Sequence, residues 1–337
     1  MKNFRAARIA GIAGIALTLA LGGCGESSAD GSGEKVQLAL VAYSTPQKAY
    51  EDIINAFQQT PDGKNVTFTK SFGGSGDQSR AVESGLAADI VAFSLEPDMT
   101  RLVKAGLVGG DWNAGPTKGM ITDSVVVIGT RKGNPKNLKD WPDLTQPGVE
   151  VITPNPFTSG GARWNVLAGY GAESNENKDR AAGVAYLTGL FKNVPVQDDS
   201  ARKSLQTFTS GKGDAILAYE SEAIFAQQNK QPLDYTVPDS TILIENPVAV
   251  TKNSEHPAEA AAFLEFLHTP TAQKIFVDNG YRPVVEGVPG GDQFPVPAKL
   301  FSIADLGGWT AVNKEFFDPN GSIMAEIEKD NGVSVQS

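Results

Sequence analysis

The stretch from Thr153 to Tyr170, TPNPFTSGGARWNVLAGY, constrains the fold of this chain more than any other part of its sequence. It follows a β-rich run, Gly148 to Ile152, and its two prolines then end regular structure. A Ser-Gly-Gly turn, Ser159 to Gly161, opens a pattern with the apolar spacing of a helix. The first N–H groups of a helix lack intrahelical partners, the helix dipole favours negative charge there, and glycines let a ligand approach. The stretch therefore predicts a strand–turn–helix unit that holds an oxyanion.

Strand and helix patterns alternate along the rest of the chain. Val36–Tyr43 has the pattern of a strand, and Thr45-Pro46 then has the pattern of a helix start. Val66–Phe72 alternates as a second strand and runs into a Gly-Gly-Ser-Gly turn before the next helix. Such alternation predicts an α/β fold in which each lobe is a mostly parallel sheet flanked by helices.

Two long apolar strands bracket the middle of the chain. Ser124–Thr130 and Thr241–Val250 have the appearance of crossovers between two lobes. We therefore expect residues 36–127 plus 246–330 to form lobe 1 and residues 128–245 to form lobe 2. A chain of 337 residues is long enough for two such units.

The N-terminus has the pattern of a signal peptide, in which basic residues precede the apolar run Ile9 to Leu21. This run is shorter than the ~20 residues of a transmembrane helix. The tetrapeptide Leu21-Gly22-Gly23-Cys24 resembles a bacterial lipobox, in which the cysteine is lipidated and becomes the first mature residue. Cys24 is the only cysteine in the chain, which favours lipidation over a plain signal peptide. We expect residues 1–23 to be removed and residues 24–35, rich in Ser and Gly, to form a flexible tether.

The charge balance excludes one class of partner. Without residues 1–23 the chain has 26 Lys and Arg against 39 Asp and Glu, a net charge of −13. That balance argues against nucleic-acid binding. It also means that an anion must be attracted by local dipoles, because the overall charge repels it.

The strand–turn–helix arrangement occurs three times, at Gly74-Ser75-Gly76, at Ser159-Gly160-Gly161 and at Asp199-Ser200-Ala201. Any one of them alone is explained by an ordinary N-cap, since serine is among the preferred capping residues. Three together, from both expected lobes, suggest convergence on one cleft. Open α/β sheets bind ligands in such a cleft, at the carboxyl ends of their strands.

These motifs resemble those of the sulfate-binding proteins of bacterial ABC importers, most closely the lipid-anchored form. The resemblance extends from Val36 to Ile327 and is carried by GGSGDQS (73–79), RKGNPK (131–136), VITPNP (151–156), SGGARWN (159–165), ESEA (220–223) and YRP (281–283). It implies a two-lobed class II periplasmic-binding-protein fold that closes on a dehydrated sulfate. It further implies a monomer, anchored by lipid at the outer face of the cytoplasmic membrane, that passes its ligand to the permease subunits without a cofactor or metal.

The resemblance also implies a set of ligand groups. These are the backbone N–H groups of Ser75, Ser159, Gly160, Gly161 and Ala201, and the hydroxyl of Ser159. The family's remaining ligand is a tryptophan indole N–H, and this chain has Tyr219 at that position. The replacement is a departure from the family, because a tyrosine hydroxyl can accept a hydrogen bond as well as donate one.

Two alternatives remain open at this point. Thiosulfate, molybdate, phosphate or another tetrahedral oxyanion could occupy the same site, because backbone donors distinguish shape and protonation more than element. A membrane-anchored serine hydrolase is more distant, since Gly73–Gly76 superficially resembles a nucleophile elbow. Asp77 occupies the place of the last glycine of that motif, however, so we expect no enzymatic activity.

Overall fold

The computed structural model describes residues 35–335 of the chain. The predicted signal peptide and Cys24 lie outside these residues, as does the predicted tether apart from Lys35. Within the described part, no helix is long and apolar enough to span a bilayer.

Strands and helices alternate through most of this part of the chain, which confirms the predicted α/β class. The strands are β1 (Val36–Tyr43), β2 (Val66–Gly73), β3 (Ile90–Ala92), β4 (Met120–Arg131), β5 (Val151–Ile152), β6 (Ala215–Tyr219), β7 (Leu233–Thr236), β8 (Ser240–Val250), β9 (Arg282–Pro283) and β10 (Lys299–Phe301). The helices are α1 (Gln47–Phe57), α2 (Ser75–Glu83), α3 (Glu96–Lys104), α4 (Gly160–Glu173), α5 (Arg180–Lys192), α6 (Ala201–Thr209), α7 (Glu220–Gln228), α8 (Pro257–Leu267), α9 (Pro270–Asp278), α10 (Gly308–Phe316) and α11 (Ile323–Asp330). Short 3-10 helices lie at Trp141–Thr145 and Gly291–Gln293.

The strands hydrogen-bond in the order β2-β1-β3-β8-β4-β6-β5, with β7 and β9 paired to β4, and β10 to β8. β1 is parallel to β2 and β3, and β5 is parallel to β6, as the alternation of strands and helices predicts. β8 is antiparallel to β3, and β4 is antiparallel to β6, β7, β8 and β9. The sheet is therefore mixed rather than mostly parallel. The difference arises because the two long strands are antiparallel to most of their neighbours, although β8 is parallel to the short β10.

β4 and β8 are the two strands that the sequence indicates as links between lobes. The first half of β4 pairs with β8 and its second half pairs with β6 and β7. The last part of β8 pairs with β3. Each long strand therefore pairs with different neighbours along its length, and together they connect the two halves of the sheet.

The C-terminal helices pack against a part of the chain that the sequence assigns to lobe 2. α10 and α11 pack in the same apolar cluster as α4 and α5, which lie in the segment 128–245. The Trp309 ring centroid lies 4.8 Å from that of Trp164, and the Phe316 centroid lies 4.6 Å from that of Tyr170. The helices α8 and α9 instead share a cluster with α1 and β1. We therefore propose that the chain returns to lobe 1 at α8 and α9 and ends against lobe 2.

The three predicted helix starts are observed, but two of the helices begin earlier than their apolar spacing suggests. α2 begins at Ser75 and α4 at Gly160, so these residues of the turns already belong to the first helical turn. α6 begins at Ala201, with Ser200 as its N-cap. The first N–H groups of α2, α4 and α6 therefore belong to residues of the three Ser/Gly motifs.

Candidate anion-binding site

A small cavity of about 10 Å³ lies where these helix starts meet. Sites for drug-sized ligands typically occupy ~300–1,000 Å³, so this one suits a solute of only a few atoms. The residues that line it are Tyr43, Ser44, Thr45, Gly73, Gly74, Ser75, Ser94, Ser159, Gly161, Ala201 and Tyr219. The cavity thus brings together five of the six predicted ligand residues, and Gly160, the sixth, is the neighbour of Gly161 in the chain.

The lining of the cavity carries no formal charge. Its residues are serines, a threonine, glycines, an alanine and two tyrosines, with no Asp, Glu, Lys, Arg or His among them. The structure also contains no cluster of three or more His, Cys, Asp or Glu side chains within residues 35–335 that could hold a metal ion. A ligand in this cavity is therefore surrounded by neutral dipoles.

The helix starts leave backbone donors free. The N–H groups of Ser75, Gly160, Gly161 and Ala201 have no acceptor among the described residues. Buried N–H groups without a partner are rare in proteins. Because these four lie at the positive ends of three helices, they form a preformed set of donors for an anion.

Ser159 differs in part from its predicted role. Its backbone N–H donates to the carbonyl oxygen of Asn155 at 2.9 Å, so in this structure that N–H already has an acceptor, unlike the other predicted N–H donors. The bond closes the turn that follows Pro154, and this turn positions Ser159 as the N-cap of α4. The Ser159 Oγ accepts from the N–H of Ala162 at a long 3.4 Å. Its hydroxyl proton remains available to a ligand.

Tyr219 lies at the cavity wall, and its hydroxyl already has a partner. The Tyr219 hydroxyl oxygen lies 2.6 Å from the Ser94 Oγ, and either group can be the donor. Both residues are almost fully buried. Burial raises the pKa of Tyr219 above its ordinary value, although the bond to Ser94 opposes the shift, so the phenol keeps its proton.

Ser94, which the sequence analysis did not single out, connects several parts of the site. Its N–H donates to the Ser75 Oγ at 2.9 Å, and that hydroxyl in turn donates to the buried Asp98 at 2.6 Å. Its carbonyl oxygen accepts from the Trp164 Nε1 at 2.8 Å and from the Asn246 Nδ2 at 2.9 Å. Because Ser75 uses its side chain in this network, only its N–H is free for a ligand.

Ser44 and Thr45 are further lining residues that the sequence analysis did not assign to the site. They follow β1 directly, and their backbone N–H groups have no acceptor within residues 35–335. The Ser-Thr-Pro sequence is the feature that could have indicated these lining residues, because it forms a fourth strand-to-helix turn at the end of a parallel strand. By itself the pattern indicates only a helix start.

Close contacts join the segments on either side of the cavity. The Gly76 N–H donates to the Thr158 carbonyl at 3.2 Å, and the Arg202 Nη2 donates to the Thr45 carbonyl at 2.7 Å. A Cβ atom added to Gly74 would lie 2.8 Å from the Asp199 carbonyl oxygen and 2.9 Å from that of Thr158. The glycine is therefore needed for the approach of these segments.

The mixed α/β sheet and the neutral cavity between helix starts define the class of two-lobed solute-binding proteins. The family model "Bacterial extracellular solute-binding protein" matches residues 38–282, and the chain belongs to this family. A sulfate-binding protein of Synechococcus elongatus is 44% identical over 313 residues, which are 90% of this chain and 89% of that protein.

Two further comparisons extend this finding. The solved structure of the sulfate-binding protein SubI from Mycobacterium tuberculosis matches with a TM-score of 0.82 and 45% identity, covering 84% of this chain and all of that one. A thiosulfate-binding protein of Pseudomonas aeruginosa is 32% identical and covers 94% of this chain and 97% of its own length. These matches confirm the predicted fold and the predicted resemblance.

Proposed function

We propose that this protein captures sulfate in the cavity and delivers it to the permease of an ABC importer. The observation that carries the proposal is the set of unpaired N–H groups of Ser75, Gly161 and Ala201 around a small uncharged cavity. The names of the relatives from Synechococcus elongatus and Mycobacterium tuberculosis support sulfate as the ligand.

The chemistry of sulfate fits this set of donors. Sulfate is a dianion near neutral pH and only accepts hydrogen bonds. The proposed donors are the N–H groups of Ser75, Gly160, Gly161 and Ala201, the Ser159 hydroxyl and one proton of the Tyr219–Ser94 pair. Hydrogen bonds to charged groups contribute about 1.5–3 kcal/mol each. Dehydration of the sulfate and closure of the lobes offset much of the sum. We therefore expect a binding free energy of about −8 kcal/mol, which corresponds to a micromolar dissociation constant.

The same proposal includes a location and a mode of action. Proteins of this family act outside the cytoplasm, and we place this chain at the outer face of the cytoplasmic membrane, anchored through lipid on Cys24. We propose that it works as a monomer that binds and releases its ligand unchanged, with no enzymatic step. The relatives named above are binding proteins, which supports this mode of action.

Isothermal titration calorimetry of the purified protein tests the ligand, with sulfate, thiosulfate, molybdate and phosphate titrated in turn. We expect the tightest binding for sulfate and no turnover of a generic ester substrate. Absence of sulfate binding at millimolar concentration would overturn the proposal.

A matched pair of glycine variants tests the position of the site. A Cβ atom added to Gly161 would lie 3.3 Å from the Ala201 Cβ and 3.5 Å from the Ser159 Oγ, so Gly161→Ala narrows the cavity. A Cβ atom added to Gly189 on α5 meets only the Thr145 side chain, at 3.4 Å. Sulfate affinity should fall for Gly161→Ala and stay unchanged for Gly189→Ala. Equal affinities in both variants would place the ligand elsewhere.

Thiosulfate is a second candidate ligand. The relative from Pseudomonas aeruginosa, which covers nearly the whole chain, is named as a thiosulfate-binding protein. Thiosulfate is also a tetrahedral dianion that accepts hydrogen bonds, with one sulfur in place of an oxygen. A lower dissociation constant for thiosulfate than for sulfate in the same titrations would favour thiosulfate as the ligand.

A further inference from the structure

Tyr43, the last residue of β1, contributes an unsatisfied hydroxyl to the site. Its side chain is buried and lines the cavity. Its ring centroid lies 6.4 Å from that of Tyr219. The Tyr43 hydroxyl oxygen is buried and has no hydrogen-bond partner among the described residues.

A buried hydroxyl without a partner destabilises a protein, so each such group needs a physical explanation. Within the described part of the chain, the tyrosines with an unpartnered buried hydroxyl are Tyr43, Tyr50 and Tyr186. Of these three, only Tyr43 lines the cavity. A ligand with acceptor oxygens in that cavity would supply the missing partner.

The protonation state of Tyr43 suits a donor. Burial raises the pKa of the Tyr43 hydroxyl well above its ordinary value, and the neighbouring Tyr281 and Tyr219 raise it further, while the nearby Thr45 hydroxyl lowers it without forming a hydrogen bond of normal geometry. The group therefore carries its proton near neutral pH, where sulfate is a dianion. It brings no negative charge of its own to the cavity.

We propose that the Tyr43 hydroxyl donates a hydrogen bond to the oxyanion in the cavity, as a further specificity-determining residue of the site. This inference rests on the proposed function, because it takes a sulfate-like anion as the ligand. It adds a donor that neither the helix starts nor the Tyr219–Ser94 pair provides. It also explains why an otherwise costly hydroxyl stands at this position.

The test compares Tyr43→Phe with Tyr186→Phe, a variant that removes an unpartnered buried hydroxyl from a residue that does not line the cavity. Within residues 35–335 neither hydroxyl takes part in a hydrogen bond, so both variants should melt at or above the temperature of the unmodified protein. Calorimetry with sulfate should then show a dissociation constant about 10- to 100-fold weaker for Tyr43→Phe, the loss of a bond to a charged group. Tyr186→Phe should bind as the unmodified protein does.

The sulfate-induced rise in melting temperature provides a second readout, because it depends on the ratio of sulfate concentration to dissociation constant. It should be smaller for Tyr43→Phe than for Tyr186→Phe at the same sulfate concentration. Equal dissociation constants and equal rises in the two variants would overturn the inference about Tyr43. Failure of the unmodified protein to bind sulfate would instead overturn the proposed function, so the two outcomes are distinguishable.

Discussion

The hydroxyl oxygens of Ser94 and Tyr219 lie 2.6 Å apart at the wall of the cavity. Ser94 follows β3 and Tyr219 ends β6, so the bond joins two segments that are far apart in the chain. Each hydroxyl has one proton, and one of the two protons lies in the mutual bond. The pair therefore offers a ligand one donor, in the place where the resemblance implies an indole N–H.

Tyr219→Phe is expected to weaken sulfate binding by about 1–3 kcal/mol, the cost of an unmade bond to a charged group. The ring and its packing remain, so the change removes only the hydroxyl. Calorimetry measures the difference. An unaltered dissociation constant would mean that Tyr219 only packs beside the site.

Ser94→Ala and the double variant provide the control for this prediction. Because the two hydroxyls act as one unit, the losses from the single variants should not add in the double variant. Additive losses would show that Ser94 and Tyr219 contact the ligand independently.

The sequence predicted the local elements well because local patterns determine them. The bounds of β1 agree with the prediction, and the three helix starts meet at one cavity. A strand followed by a Ser/Gly turn and a helix has a similar geometry wherever it occurs, so its free N–H groups were predictable.

The features that the sequence did not predict depend on contacts between distant residues. The bond from the Ser159 N–H to Asn155 depends on how the chain turns after Pro154. The role of Ser94 depends on its approach to Tyr219, 125 residues further along the chain. The packing of α10 and α11 against α4 depends on which apolar surface remains uncovered once the sheet has formed.

Sulfate is expected to make the protein more compact in solution. The bonds from Gly76 to Thr158 and from Arg202 to Thr45 cross between segments on opposite sides of the cavity. Hinge closure is a common motion around a ligand between two lobes, and an anion that binds both sides favours the closed form. Small-angle X-ray scattering should show a smaller radius of gyration with sulfate than with chloride at equal ionic strength. The same radius in both solutions would contradict closure.

Cys24→Ala is expected to release the protein from the membrane. The lipobox-like tetrapeptide at 21–24 motivates this prediction. One acyl chain binds a bilayer only marginally, so stable anchoring needs two or more. Cell fractionation followed by immunoblotting measures the change. Membrane retention of the Cys24→Ala protein would contradict lipid anchoring at this residue.

Glu328 on α11 makes the stability of the protein depend on pH. Its side chain is fully buried, and burial raises its pKa to about 7, although the bond from Gln197 lowers it. The folded state then binds more protons than the unfolded state between an ordinary carboxyl pKa of about 4.3 and this raised value. The contribution of Glu328 to the free energy of unfolding is therefore complete below that window and is lost as the pH rises through 7.

Glu328→Gln tests this dependence. The amide keeps an oxygen for the bond from Gln197 and has no charge to bury. At pH 8 we expect the variant to be more stable by about 1–3 kcal/mol, since each unit of pKa shift corresponds to ~1.36 kcal/mol. Urea unfolding at pH 5 and pH 8 measures the difference in free energy of unfolding. Glu326→Gln, on the exposed side of the same helix, is the control. Equal stabilities of Glu328→Gln and the unmodified protein at pH 8 would contradict the raised pKa.

The last prediction concerns selectivity against phosphate. Near neutral pH phosphate carries at least one proton, and that proton needs an acceptor. The carboxylates next to the helix starts are engaged elsewhere: Asp77 pairs with Arg80 and Asp199 with Lys203. A site built for one hydrogen-bond pattern rejects a mismatched analogue by ~10⁴–10⁵.

The hydroxyl groups of the cavity reduce this discrimination. Tyr219 can accept as well as donate, so we expect phosphate to bind about 10²–10³-fold more weakly than sulfate. No Asp, Glu or His lines the cavity, so sulfate affinity should be nearly constant from about pH 5 to 8. Competition calorimetry at both ends of that range measures both effects. If phosphate displaced sulfate at comparable concentrations, a carboxylate would have to reach the ligand on closure, and the donor-only site proposed here would be wrong.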